Sequence, residues 1–451
     1  MIKKILIANR GEIVCRLIRT CREMGIQTVA VYSEADKDAL FVREADESYH
    51  IGPANPVQSY LNIDAIMAVV IQSGSDAVHP GYGFLAESAR FAKAVKGSGV
   101  IWIGPPPQVL KTIESKLKSK RIAKEAGVPG IPGTEFIVKD AEDIRKYAAE
   151  NGLPILLKLD KGGGGKGIEM IRVESKIDEV FERITRIGKA AFDDSDCFIE
   201  NEVICPRHIE VQFLADRYKN CVCLGERECS IQRRHQKIIE ESPSPVITSQ
   251  DRAALYDYTK RIVAAMGYEG AGTIEFLREE DGSIFFMEVN ARIQVEHPVT
   301  EMVTGIDIVR NQLRIGEGHE LELKQDDAII KGHAIEARIY AEDPTTFAPS
   351  PGSITALSLP LEKEGNLRLD HALENSCVVP PYYDPMLVKV IAWDEERNGA
   401  IEVLKSALRE IDIKGVSTTI DSNLKILEHK KFVEGDFDVS FIEKEVLFRN
   451  K

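Results

Sequence analysis

The sequence predicts a protein of mixed α/β and α+β class in three parts: an N-terminal parallel α/β domain, a central core carrying a glycine-rich lid, and a β-rich C-terminal domain. Three observations predict it. Strand and helix periods alternate over about the first hundred residues. Two apolar runs, Thr273-Ile274-Glu275-Phe276-Leu277 and Ile284-Phe285-Phe286-Met287-Glu288, flank a short polar turn as hairpin partners would. From about Leu321, short strand-like runs replace the alternation.

Length and composition agree. A chain of 451 residues is too long for one compact core. Hydrophobic residues at 43% and charged residues at 29% match a soluble globular protein. The net charge of −14 lacks the basic footprint of a nucleic-acid binder, so no nucleic-acid partner is expected. None of the eight cysteines forms a Cys-x-x-Cys pair, and Cys221-Val222-Cys223 lacks the second half of a zinc site. Reduced, buried thiols in the cytoplasm are the expectation. The N-terminus enters a strand without a leader, and the longest apolar run, Ala65 to Ile71, is too short to span a bilayer. No membrane partner is expected.

Lys4 to Val31 reads as β-α-β, with Ile13, Leu17, Ile18 and Cys21 on one helical face and Gly25 as the stop. Alternation continues through Ala77-Val78-His79 and Ile101-Trp102-Ile103-Gly104. The turn Asn9-Arg10-Gly11-Glu12 is not the dinucleotide fingerprint, so NAD is not expected. His79-Pro80-Gly81-Tyr82-Gly83-Phe84 follows a strand, where such sheets place ligands, but its spacing serves a tight turn equally well. Pro105-Pro106-Pro107 breaks the pattern. A helix containing Lys116 is expected from about Pro107 to Gly127, followed by the punctuated stretch Val128 to Gly133.

Two strand-like runs, Pro154 to Lys161 and Ile168 to Val173, enclose Gly162-Gly163-Gly164-Gly165-Lys166-Gly167. No Rossmann helix follows and no Gly-Lys-Ser/Thr is present. A hairpin lid whose backbone N–H groups close over phosphates fits better than an idle loop, because consecutive glycines carry an entropic cost. Further on, Glu226 to Lys237 packs Arg227, Arg233, Arg234, His235 and Lys237 among Cys229, Ile231, Gln232 and Gln236. That pattern suits a solvated face or an anion-lined groove.

The most informative stretch is Glu288-Val289-Asn290-Ala291-Arg292-Ile293-Gln294-Val295-Glu296. Its strict alternation predicts an extended segment with one dry face and one bearing metal-ligand and anion-binding types. A two-residue turn at Asp281-Gly282 would set Glu275 directly opposite Glu288, Cβ atoms about 4.5–5.5 Å apart, a destabilising pair of like charges. With Asn290 two residues on, that arrangement suits a hard cation such as Mg²⁺ shared with phosphates. The apolar neighbours favour a buried sheet over a surface hairpin. After Leu321, strands are expected at Ile330–Tyr340, Ser353–Leu359, Asn366–Asp370 and Met386–Trp393, with a helix at Gly399–Leu408.

Taken together, these motifs resemble biotin carboxylase, an ATP-grasp ligase, over essentially the whole chain. The matching stretches are Ile7 to Ile13, His79 to Leu85, Gly162 to Gly167, Cys229 to Lys237, Asn290 to Glu301, Glu336 to Pro344 and Pro380 to Asp384. The resemblance implies an N-terminal (pre-ATP-grasp) domain over 1–110, an ATP-grasp domain over 115–312 with its lid at about 130–203, and a C-terminal domain over 330–445. It implies that Glu275 and Glu288, with Asn290 close by, hold Mg²⁺ (or Mn²⁺). Lys116, Lys158 and the backbone of Gly163, Gly164 and Gly165 would contact ATP phosphates, Glu200 the adenine side, and His208, Gln232 and His235 would line the nucleotide site. Lys237, Arg292, Gln294 and Val295 would bind bicarbonate, with Glu296 the base that deprotonates it. Tyr82 and Arg338 would meet the biotin ring.

General chemistry supports those types. Arg offers a bidentate fork to a planar oxyanion, and a glutamate base is expected to carry a raised pKa. No Ala-Met-Lys-Met biotinylation motif is present. Biotin is therefore expected on a separate carrier protein, with a carboxyltransferase subunit and a homodimer as the other implied partners. The sequence departs from the family at Leu159-Asp160-Lys161 and Glu114-Ser115, and at Glu169, Glu228, Ala291, Ala337 and Pro385, without removing a role-bearing side chain. Another ATP-grasp ligase would lack the Tyr82–Arg338 and Arg292–Glu296 pairings. A non-catalytic docking subunit would not retain Glu275, Glu288, Arg292, Glu296 and Arg338.

Overall fold

The computed structural model describes residues 1–162, 167–362 and 365–447. The loop positions Gly163, Gly164 and Gly165 lie outside the described residues. Strands β1 (Lys4–Ile7), β2 (Gln27–Ser33), β3 (Glu47–Gly52), β4 (Ala77–His79) and β5 (Ile101–Trp102) form a parallel sheet in the order β3-β2-β1-β4-β5. Both faces of β1 are dry: Leu6 and Ala8 enter one core cluster, Ile5 and Ile7 another. Buried on both faces, such strands read as continuous apolar runs. Chain order reverses between β1 and β4, so the loops after them meet at a switch point. There the Asn9 side-chain amide donates to the carbonyls of Pro80 (2.7 Å) and Tyr82 (2.8 Å).

The single helix expected from Pro107 to Gly127 is two, Pro107–Ile113 and Lys116–Glu125. Ser115 causes the break. Its hydroxyl caps the Lys118 N–H at 3.2 Å from the extended backbone an N-cap adopts. Lys116 thus begins a helix instead of lying within one. The lid strands β6 (Ile155–Leu159), β7 (Ile168–Ile171) and β8 (Cys197–Asn201) pair antiparallel as β7-β6-β8 over a small core of their own, with Ile144, Leu157, Ile171 and Ile184 buried.

The remaining strands are β9 (Arg207–Ala215), β10 (Cys221–Arg233), β11 (Gln236–Ser242), β12 (Gly270–Arg278), β13 (Ile284–Asn290), β14 (His333–Tyr340), β15 (Gly352–Ser353), β16 (Ala356–Ser358), β17 (Leu367–His371), β18 (Val378–Val379), β19 (Met386–Asp394) and β20 (Asp412–Lys414). Eight of them form one antiparallel sheet, β13-β12-β9-β10-β11-β14-β19-β17. The sheet therefore runs through the composition change near Leu321: β11 pairs with β14 across it. The run expected over Ser353–Leu359 is split between two short ribbons, β15-β18 and β16-β20. The helix Arg397–Glu410 packs Leu404 and Leu408 beneath β14 and β19. No helix among the described residues is long and apolar enough to cross a membrane.

Candidate active site

The site lies along one rung of the large sheet. Glu288 on β13 pairs with Glu275 on β12, Glu275 with Glu210 on β9, and Glu210 with Arg227 on β10. Direct cross-strand partners share a face, so three carboxylates stand side by side. Like charges so placed are destabilising unless cations offset them. Arg227, fully buried, bonds Glu210 and reaches Gln212 (2.8 Å), Thr300 (2.9 Å) and Thr273 (3.1 Å). Lys237 on β11 extends its ammonium to Glu210 (2.6 Å), Glu275 (3.1 Å) and Glu296 (2.6 Å).

The Glu275–Glu288 pairing is as expected, but two irregularities produce it. The turn is not the two-residue Asp281-Gly282. Glu279 and Ser283 close it around Glu280, Asp281 and Gly282, the last at φ +91° as a residue without a Cβ allows. The extra turn residue slips the register by one, and a bulge at Met287 slips it back before Glu288. A second bulge, at Ile238, turns Ile238 and Ile239 together into the apolar core and leaves Lys237 on the face of Glu240.

The alternating strand expected through Glu296 ends at Asn290. The Ala291 N–H is taken by the Glu87 carboxylate (2.8 Å), and Glu296 becomes the residue before a helix, His297–Thr304, with Pro298 in its first turn. A turn, not a ribbon face, therefore gathers the next residues. Arg292 donates to the Gln294 side-chain oxygen (2.7 Å) and to Asn290 Oδ1 (3.1 Å), and approaches Glu87 (3.3 Å). Glu275 Oε1 also accepts from the amides of Asn290 (2.8 Å) and Gln294 (3.1 Å), while His208 Nε2 meets its other oxygen at 2.8 Å. Burial pushes the Glu275 carboxyl up, but Lys237 and His208 outweigh it and hold it below the usual range.

Glu296 sits between two cations. Its Oε1 takes Lys237, and its Oε2 takes Arg338 of β14 at 2.9 Å. Burial works against its charge, yet Lys237, Arg338 and Arg227 together hold it well below the ordinary carboxylate range. This reverses the expectation of a base with a raised pKa. Behind it, Arg338 also bonds Glu240, which faces Glu336 across β11 and β14. Burial pushes Glu240 up to about 7. Burial likewise pushes Glu336 up, and neither of its oxygens has a hydrogen-bond partner among the described residues.

The residues expected on the nucleotide side stand on several other elements. Lys158 on β6 and Lys120, one turn after Lys116, both bond buried Glu200 on β8. Burial opposes its charge, and the two lysines override it to lower its pKa. Lys116 bonds the Gly162 carbonyl and lies 3.7 Å from Glu288. The departure at Leu159-Asp160-Lys161 finds its reason here. Asp160 accepts from the N–H groups of Lys116 (3.1 Å, main chain) and Leu117 (2.8 Å, side chain), tying the end of β6 to that helix. Gln232 is buried opposite Lys237, whereas His235 is exposed in the two-residue β10–β11 turn, where Arg234 (φ +49°) and His235 (φ +65°) both adopt left-handed backbone. Tyr82 bonds Glu12, and the charges of Arg338 and Asp384 reach it. Val295 contributes its carbonyl to Lys389 (2.9 Å).

Sequence reasoning missed Glu210, Lys120 and Glu87, and had Arg227 only as one member of a basic run. The first had a signal: His208, Glu210 and Gln212 alternate with Ile209, Val211 and Phe213. The metal-ligand expectation meets a suitable donor set. Glu275 and Glu288 stand on one rung with Asn290 next along the strand, offering hard oxygen ligands. His208, Glu210 and Glu275 also bring ligand atoms within 4.8 Å of one another.

Comparison with known proteins decides the family. Residues 1–110 match the biotin carboxylase N-terminal domain, 115–324 the carbamoyl-phosphate synthase L chain ATP-binding domain, and 336–444 the biotin carboxylase C-terminal domain. The chain belongs to the biotin carboxylase family. It is 47% identical to biotin carboxylase 1 of Bacillus subtilis over 98% of both chains. A biotin carboxylase–ATP complex from Campylobacter jejuni superposes with TM-score 0.96 at 42% identity, covering 98% of this chain and 99% of that one. The biotin carboxylase domain dimer of Hydrogenobacter thermophilus 2-oxoglutarate carboxylase, with MgADP and bicarbonate, gives TM-score 0.96 at 43% identity over 98% of each chain. Biotin carboxylases are ATP-dependent ligases, and the chain is an enzyme of that class.

Proposed function

We propose that this chain carboxylates biotin presented by a separate carrier protein, as the first half-reaction of a multi-subunit carboxylase, with the following division of labour. Lys116, Lys158 and the glycine loop bind the ATP phosphates; Glu200, His208, Gln232 and His235 line the nucleoside side. Mg²⁺ held by Glu275 and Glu288, with Asn290 beside them, supplies charge neutralisation at the phosphate oxygens. Lys237, Arg292, Gln294 and Val295 hold bicarbonate against Glu296, which removes its proton. The bicarbonate oxygen attacks the γ-phosphorus, ADP leaves, and the resulting carboxyphosphate parts into CO₂ and phosphate. Phosphate takes the proton from biotin N1′, Arg338 stabilises the negative oxygen that develops on the ring, Tyr82 packs beside it, and the nitrogen attacks CO₂. Positioning and charge stabilisation supply most of the acceleration in such chemistry.

The observation that carries this reading is Glu296 held by Lys237 on one oxygen and Arg338 on the other. It also accounts for the low Glu296 pKa. An anion bound against Lys237 and Arg292 adds a like charge and draws cationic charge away, both of which raise a carboxyl pKa. The base is thereby armed by its own substrate. The test is ADP release with Mg-ATP and bicarbonate, with and without free biotin, in wild type, Glu296→Ala and Arg338→Ala. Biotin-stimulated, bicarbonate-dependent turnover lost in both variants supports the assignment; turnover indifferent to biotin refutes it. The proposal extends to a cytoplasmic homodimer working with a biotin carboxyl carrier protein and a carboxyltransferase subunit. The Hydrogenobacter dimer supports the association. The final acceptor binds elsewhere, so no residue of this chain selects it.

A further inference from the structure

Lys389 stands in the middle of β19, fully buried, between Val388 and Val390, which are buried as well. It lies directly opposite Arg338 across the β14–β19 ladder. Two cations facing each other inside a sheet oppose folding. Asp370 faces it from the other side, across the β17–β19 ladder. A buried ion-pair network as a whole is often no more stable than apolar side chains in its place, so stability does not by itself account for the lysine.

Its contacts give one. The ammonium donates to the main-chain carbonyl of Val295 at 2.9 Å. It lies 3.3 Å from Glu12 Oε1 and 3.6 Å from Asp370 Oδ2. Asp370 is itself fixed by both arms of Arg368, at 2.6 and 2.9 Å. Glu12 Oε1, the same oxygen, accepts the hydroxyl of Tyr82. One ammonium therefore joins the N-terminal helix, the Tyr82 loop, the turn ending at Glu296 and the C-terminal strands.

We propose that Lys389 is a positioning residue for the carboxylation. Its hydrogen bond fixes the Val295–Glu296 peptide, and its ion pair with Glu12 fixes the hydroxyl of Tyr82. The bicarbonate-side loop and the biotin-side tyrosine are thereby held in one geometry. The inference rests on the roles given above to Val295 and Tyr82. Lys389 touches neither substrate. The peptide it holds immediately precedes the base, and about 1 Å of misplacement there is enough to lower turnover about a hundredfold.

The test separates positioning from scaffolding by its pattern of Michaelis constants. Lys389→Met removes the donor, and the double variant Lys389→Met/Glu12→Gln removes it without leaving Glu12 as an unpaired buried carboxylate. Glu12→Gln alone loosens only the tyrosine side. Expected are a rise of about tenfold or more in KM for bicarbonate in both lysine variants, a rise in KM for free biotin in all three, and a KM for ATP within twofold of wild type. A folded double variant with unchanged kcat and unchanged KM for bicarbonate and biotin overturns the proposal. If the methionine variants do not accumulate as folded protein, Lys389→Arg carries the same readout, since it keeps the charge but changes the reach to Val295. Wild type without bicarbonate-dependent turnover would instead overturn the functional reading beneath the proposal.

Discussion

Glu240 offers a quantitative check on the buried charge network. It lies on β11 with no exposed surface, bonded to Arg338 and facing Glu336, and burial raises its carboxyl from the ordinary 4.5 to about 7. A folded-state pKa above the unfolded one means that the folded chain keeps a proton which the unfolded chain has released. Stability then falls as pH rises from the unfolded value to about 7 and levels off above it. A displacement of that size corresponds to about 3 kcal/mol in full, most of it falling between pH 5 and pH 8. Glu240→Gln is close to an isostere of the protonated side chain and does not ionise. Its melting temperature should match wild type near pH 5 and exceed it by several degrees at pH 8, measured by thermal unfolding at both pH values. A difference between the two proteins that is the same at pH 5 and pH 8 refutes the reasoning, because it would mean that Glu240 ionises in the folded state as it does in the unfolded one.

Other expectations follow from single contacts. Lys237→Met leaves Glu210, Glu275 and Glu296 buried without their shared ammonium; at pH 7 it should cost about 3–5 kcal/mol of stability and abolish bicarbonate-dependent ADP release, measured by denaturant unfolding and a coupled assay. Lys120→Met leaves Lys158 as the remaining lysine on Glu200 and should raise KM for ATP several-fold while leaving KM for bicarbonate unchanged. Asp160→Ala removes the acceptor for the Leu117 N–H; it should cost about 1 kcal/mol, as loss of a helix cap does, and raise KM for ATP because Lys116 begins that helix. Chelation of divalent metal should stop ADP release, with Mg²⁺ or Mn²⁺ restoring it; turnover that survives chelation would remove the role given to Glu275 and Glu288.

The N-terminal sheet was legible because β-α-β periods are local, and a strand buried on both faces leaves a short apolar run bounded by turn residues. The site was legible in its residue types but not in its geometry. Glu275 and Glu288 were expected to pair through a two-residue turn; they pair because a three-residue turn and a bulge at Met287 cancel. Alternation from Glu288 to Glu296 pointed to a strand, whereas Glu87, some two hundred residues earlier in sequence, takes the Ala291 N–H and the chain turns into a helix. Local pattern cannot carry that, because the competing hydrogen bond comes from another part of the fold. The raised pKa expected of Glu296 failed for a related reason: its environment is set by Lys237, Arg338 and Arg227, which stand on three different strands.

The composition change near Leu321 looked like a domain border, yet the backbone ladder crosses it. Arg338, assigned to biotin, and Lys237, assigned to bicarbonate, stand on adjacent strands of one sheet, β14 and β11. Neighbouring strands lie about 4.8 Å apart, and that spacing changes only by breaking ladder hydrogen bonds. The two strands that present these side chains to opposite oxygens of Glu296 are therefore held at a fixed spacing by their ladder. An opening that admits nucleotide would fall instead on β6, β7 and β8, which form a sheet and a small core of their own and are tied to the Lys116 helix through the Lys120–Glu200 pair and Asp160. A large sheet that presents Lys237 and Arg338 to Glu296, beside a smaller sheet that carries Lys158, is the arrangement expected when a short-lived intermediate must pass from one substrate to the next without meeting water.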